Sequence, residues 1–111
     1  MIRLPTVTRE ILLGFWKVHI LHHAEAGPVY GQWIAEELRH HGYAISPGTL
    51  YPLLRRMEAN GWLKSVASRE SAPHARKEYR LTGKGSKVLA FLRTQVLELH
   101  REVVEERPQT P

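Results

Sequence analysis

With 111 residues the chain is long enough for one small domain with a modest core. Lys and Arg number 16 against 11 for Asp and Glu, giving a net charge of +5. An excess of this size in a small domain points to an anionic partner such as nucleic acid, although mildly basic proteins without one are common. The absence of cysteine excludes disulfides, thiol nucleophiles and thiolate metal sites. No apolar run approaches a membrane span and the N-terminus has no signal-peptide pattern, so no membrane partner is expected and the cytoplasm is the expected location.

The elements follow in order. Thr6 or Thr8 is expected to cap a first helix reaching about Glu25, where Ala26-Gly27-Pro28 stops it. A second helix is expected from Tyr30 to His41, with Tyr30, Ile34 and Leu38 on its apolar face and Gly42 as its end. Tyr43-Ala44-Ile45 reads as short and extended. Ser46 then caps a third helix, with Pro47 at its first position, running to about Asn60. Leu50, Leu53, Leu54 and Met57 form its buried stripe, while Pro52 removes one backbone bond near its start. Trp62 to Val66 and Lys77 to Leu81 are strand-like arms of a hairpin with a polar, basic tip. Thr82 caps a last helix to about Glu106, and residues 107–111 are expected to be a disordered tail.

Three short helices, a hairpin and a long helix make a mainly α fold: a winged helix-turn-helix domain over residues 1–81, followed by a dimerisation helix over residues 82–106. In such a fold the first turns of the third helix face the DNA major groove. The candidate DNA-contacting residues there are Ser46, Pro47, Gly48, Thr49, Tyr51 and Arg55, with Pro52 on the same outer face. Small groups permit close approach, and hydroxyls and guanidinium groups bond phosphates or base edges. Arg69, Arg76 and Lys77 on the hairpin suit backbone phosphates, although a solvated charged loop would carry the same residues.

Leu89, Leu92, Val96, Leu99 and Val103 recur at spacings of three and four, as in a coiled-coil seam. At about 1.5 Å per residue the last helix is roughly 36 Å long, more than so small a domain can cover. The first helix is apolar on two opposed sides, with Ile11, Phe15, Val18 and His22 on one and Leu13, Trp16, Ile20 and Ala24 on the other. A second copy of the chain would cover both surplus faces. The expected homodimer interface is therefore Ile11, Phe15, Val18, Leu89, Leu92, Val96, Leu99 and Val103.

The run Ser46-Pro47-Gly48-Thr49-Leu50-Tyr51-Pro52-Leu53-Leu54-Arg55-Arg56-Met57-Glu58 resembles the PadR family of bacterial transcriptional regulators. Tyr30-Gly31, Ile34 and Leu38 before it, and Gly61, Leu63, Tyr79-Arg80-Leu81-Thr82 and Gly85 after it, are similar to the same family. The resemblance spans about residues 18 to 86 and makes Pro52 part of a family pattern. It implies a winged-helix homodimer that represses transcription and leaves its DNA when a small and often aromatic molecule binds; a two-fold dimer, in turn, is expected to read an inverted-repeat operator. The short last helix looks like the small-type branch of the family. Two features depart from the common pattern: His22 and His23 in the first helix, and the hairpin tip Ser71-Ala72-Pro73-His74.

Phe15, Trp16, Leu92 and Val96, where first and last helices would meet across the dimer, are the candidate effector-binding residues, since an aromatic ligand could stack there. His19, His22 and His23 lie at i, i+3 and i+4 and could instead hold zinc, with a carboxylate such as Glu25. That gives a second reading of the same fold, a metal-responsive repressor, against the plainer reading of solvated or helix-capping histidines. No cofactor is required by either. No Ser/His/Asp, paired-carboxylate or phosphate-cradling arrangement is visible, so an enzyme is not expected.

Overall fold

The computed structural model describes residues 5–67 and 77–106. In chain order these form α1 (Pro5–Ala26), β1 (Val29–Tyr30), α2 (Gly31–His40), α3 (Pro47–Ala59), β2 (Leu63–Ala67), β3 (Lys77–Leu81) and α4 (Gly83–His100). A π-helical turn over Arg101–Glu105 prolongs α4. The three strands form one antiparallel sheet in the order β1-β3-β2. Val29 pairs with Tyr79 on one side of β3, and Ser65 pairs with Tyr79 on the other. The architecture is the expected winged helix-turn-helix with a long C-terminal helix.

Local chemistry explains most boundaries. Both α2 and α3 end on a glycine with positive φ, Gly42 at 90° and Gly61 at 80°. At the first, Gly42 N–H donates to the Arg39 carbonyl at 3.0 Å and Tyr43 N–H to the Leu38 carbonyl at 3.0 Å. At the second, Gly61 N–H donates to Glu58 at 2.8 Å and Trp62 N–H to Met57 at 3.0 Å. Each is a double-bonded helix stop that needs a residue without a Cβ at the left-handed position. Thr82 caps α4 as expected, its Oγ1 accepting from Gly85 N–H at 2.9 Å.

Three expectations need correcting. The first helix begins at Pro5, so Thr6 and Thr8 lie inside it; proline is pre-organised for a first turn. The short strand is Val29–Tyr30, not Tyr43 to Ile45, because β3 offers Val29 and Tyr30 a free edge. Two residues are too few to show a strand periodicity. Ser46 has the extended backbone of a cap, yet its side chain makes no capping bond and its Oγ instead donates to Thr49 Oγ1 at 3.2 Å. The expected tail over residues 107–111 and the hairpin tip lie outside the described residues.

The core takes one stripe from each element. From α1 come Trp16, Ile20, Leu21 and Ala24; from α2, Ile34 and Leu38. Leu50, Leu53, Leu54 and Met57 of α3 are all buried, as their spacing requires. Leu63 and Tyr79 close it from the sheet, and Leu89 from α4. Each fully buried leucine or isoleucine contributes about 1.5–3 kcal/mol relative to exposure. From Arg93 onward every described residue of α4 and its π turn is exposed, so that half of the helix projects beyond the core.

Candidate nucleic-acid interface

The turn His41 to Ile45 delivers the chain to α3 at a fixed angle, because the glycine stop at its start and the buried Ile45 at its end leave little freedom. Ser46, Pro47 and Gly48 are all exposed, and Thr49 is half-buried. The Ser46 carbonyl already accepts from Thr49 and Leu50 N–H groups at 3.0 and 2.9 Å. Behind this first turn, Leu50 and Leu53 fasten α3 to the core, which turns Tyr51 and Arg55 outward. Every described residue of the sequence-predicted DNA set is thus exposed or half-buried, either in and just before α3 or at the loop end of the β2–β3 hairpin. Lys77, exposed, opens β3 opposite Ala67. Arg69 and Arg76 lie outside the described residues.

Two contacts hold this surface that the sequence did not reveal. The Tyr51 ring packs against Gly31 at the start of α2, leaving no room for a Cβ there. Glu58, the penultimate residue of α3, accepts from the Ser65 backbone N–H at 2.9 Å and also from the Ser65 hydroxyl. These bonds hold the Glu58 carboxyl below the usual carboxylate range, the Ser65 hydroxyl being the main cause. They tie the third helix to the wing strand β2. The Tyr79 hydroxyl, on the middle strand, is pushed up by burial. Neither contact could be read from spacing: Gly31 and Tyr51 lie twenty residues apart, and Glu58 meets Ser65 across the turn that joins α3 to β2, outside any helical or strand period.

The apolar residues expected at a dimer interface divide. Leu89 is fully buried in the subunit's own core and Leu92 and Val18 are half-buried. Ile11, Phe15, Val96, Leu99 and Val103 are exposed, joined by Phe91, Leu97 and Val104, which the seam did not include. Of the candidate effector residues, Phe15, Leu92 and Val96 stay at or near the surface. Trp16 is 4% exposed and packs edge-on against Tyr43 with ring centroids 6.1 Å apart, so its ring belongs to the core.

The histidines regroup. His22 turns to Arg93, whose Nη2 lies 3.2 Å from its Nδ1, while Arg93 also grips Glu25 at 2.8 Å. His19 and His23 are met instead by His41 from the end of α2. Burial holds the His19 and His23 imidazoles below the ordinary histidine range, with the neighbouring histidines adding to the effect. No helix among the described residues is long and apolar enough to cross a membrane.

Comparison with known proteins agrees with this geometry. The sequence profile of the transcriptional regulator PadR-like family matches residues 20–91, from the second half of α1 through the start of α4. The Mycobacterium tuberculosis transcriptional regulator Rv3488 is 46% identical over 96 residues, covering 86% of this chain and 89% of that protein. A PadR family transcriptional regulator from Eggerthella lenta superposes with a TM-score of 0.77 at 32% identity, covering 90% of this chain and 88% of the other. One from Clostridium difficile gives 0.70 at 29% identity, covering 83% and 96%. All three relatives are named as transcriptional regulators. From the profile match, the close relative and the shared fold together, the chain belongs to the PadR-like family of transcriptional regulators.

Proposed function

We propose that the protein is a homodimeric, sequence-specific DNA-binding repressor that works in the cytoplasm. The observation that carries this reading is the outward face of α3, where Ser46, Pro47, Gly48, Tyr51 and Arg55 are exposed and Thr49 half-buried, together with the exposed Lys77 that opens β3 of the wing. Tyr51 and Arg55 read base edges or phosphates in the major groove, while Lys77 and Arg76 neutralise phosphates beside it. Residues 1–81 act as the DNA-binding domain and residues 82–106 as the dimerisation helix. Two copies related by a two-fold axis read an inverted repeat whose half-sites are about one helical turn, roughly 34 Å, apart.

The exposed apolar side chains of α1 and α4 support the dimer, because Phe15, Leu99 and Val103 would otherwise stand in water. A small aromatic molecule lodged at Phe15, Leu92 and Val96 releases the DNA by favouring another spacing of the two subunits, to the extent that it binds the two arrangements differently.

Selection of bound DNA from a random pool at fixed salt tests the reading, followed by titration of the selected site. A two-fold symmetric consensus is expected. Arg55→Ala should weaken binding by about 1–3 kcal/mol and relax one position of the consensus. Lys77→Ala should weaken binding to all sequences alike and lower the salt slope by about one unit. A pool that yields no enriched sequence would overturn the reading.

A further inference from the structure

We propose that His19, His23 and His41, with Glu37 completing the set, form a binding site for a divalent transition metal of the zinc class, and that the metal ties α1 to the turn leading into α3. His19 and His23 stand one helical turn apart on α1, and His41 reaches them from the residue that ends α2. One ring nitrogen from each lies within 4.8 Å of one from each of the others. The Glu37 carboxylate faces two of them, its Oε1 3.8 Å from His23 Nε2 and 3.4 Å from His41 Nε2. His23 Nε2 is buried and has no hydrogen-bond partner among the described residues. Leaving such an atom unpaired is costly, and a metal would satisfy it.

The donor set selects the ligand class. Three imidazole nitrogens and one carboxylate oxygen match zinc, which takes four such ligands at about 2.0–2.2 Å in tetrahedral array. Calcium and magnesium prefer oxygen ligands throughout. Neighbouring donors around a tetrahedral zinc stand about 3.3 Å apart, by geometry from the bond length. The three imidazoles, within 4.8 Å of one another, would draw in by about 1.5 Å to reach that spacing. A pocket of about 350 Å³ between the end of α1 and Trp33 has His23 in its wall, which gives an ion a way in. Trp33 stands edge-on to His23 with ring centroids 5.3 Å apart, close enough to report an ion electronically.

This site differs from one built on α1 alone. His22 is engaged by Arg93 and takes no part. Because His41 is the residue after α2 and Gly42 begins the turn toward Ser46, an ion here fixes the connection between α2 and α3 from outside the DNA surface. The proposal stands apart from the DNA reading, since the metal alone is the probe.

Chelator-treated, untagged full-length protein would be titrated with Zn²⁺ by calorimetry and with Co²⁺ by visible absorption. One equivalent per chain is expected, with the intense Co²⁺ bands of four-coordination, a rise in melting temperature, and partial quenching of the tryptophan emission by Co²⁺ that is lost in Trp33→Phe. His41→Ala, at an exposed position, should lower affinity by more than about tenfold, and Glu37→Gln by about tenfold. His22→Ala and His40→Ala should leave binding unchanged. Circular dichroism confirms that each variant is folded; were His41→Ala to unfold, His41→Gln would replace it. Absence of saturable binding, a six-coordinate Co²⁺ spectrum, or equal affinity in the folded His41 variant would overturn the proposal.

Discussion

The Tyr51 ring lies so close over Gly31 that a Cβ at position 31 would meet its Cε1 at 2.7 Å. The two residues sit twenty positions apart, at the start of α2 and in the second turn of α3. Tyr51 is 40% exposed, so one part of the ring is backed by main chain and the other faces outward. Backing of this kind fixes an aromatic side chain before it meets a ligand, which reduces the entropy lost on binding.

Gly31→Ala should therefore weaken operator binding more than it weakens the fold. The ring can swing away into solvent, so the added methyl displaces Tyr51 without opening a void. We expect a loss of DNA affinity comparable to that of Tyr51→Ala, with a melting temperature near wild type. Gel-shift titration beside thermal melts checks this. Equal losses of stability and affinity would show that position 31 serves the core alone.

How far the sequence reached depends on the distance between partners. The leucine stripe of α3, the Thr82 cap and the glycine stops depend on residues within one or two turns of each other, and all three were legible. Val29–Tyr30 was not, because its strand character comes from β3, some fifty residues on. The histidine group was half legible. The i, i+4 pair His19 and His23 announced itself, but His41 joins them through the packing of α2 on α1, and His22 is lost to an arginine of α4. Likewise the heptad spacing of α4 could not tell that Leu89 is buried in its own core while Leu99 and Val103 are exposed.

Gly85 offers a test of the fold itself. A Cβ there would stand 2.1 Å from the Trp62 carbonyl oxygen and 2.8 Å from a Leu81 methyl. The Trp62 carbonyl is held in turn by Thr82 N–H at 3.1 Å, so it cannot retreat freely. Gly85→Ala should destabilise by about 1–3 kcal/mol, the usual range for overpacking, by prising the start of α4 from the turn between α3 and β2. Chemical denaturation would measure it. An unchanged midpoint would refute the tight approach.

Glu58 makes the wing acid-sensitive. Its carboxyl is depressed in the folded protein, so the stabilisation it gives is present above the unfolded carboxylate range and disappears as pH falls through the folded value. Because water still reaches the carboxylate, the effect should be about 1 kcal/mol or less. Glu58→Gln should accordingly lower the melting temperature slightly at neutral pH, and the gap from wild type should close in strong acid. A gap that stays constant across the titration would mean that the Ser65 bonds do not depend on charge.

Dimerisation is best tested where the subunit does not use the side chain for itself. Leu92 is half-buried against its own core, so a charge there would confuse folding with association. Leu99 is 52% exposed and Val103 58% exposed, and neither contributes to the subunit's buried core. In a dimer both would be covered, and an unpaired carboxylate in that cover is costly. Leu99→Asp with Val103→Asp should thus yield a folded monomer by light scattering, with helix content near wild type. Because two half-sites then bind independently, operator affinity should fall steeply while binding to non-specific DNA changes little. A wild-type chain that is already monomeric at micromolar concentration would defeat the dimer. A double variant that remains dimeric would move the interface off this end of α4, toward Phe15 and Phe91.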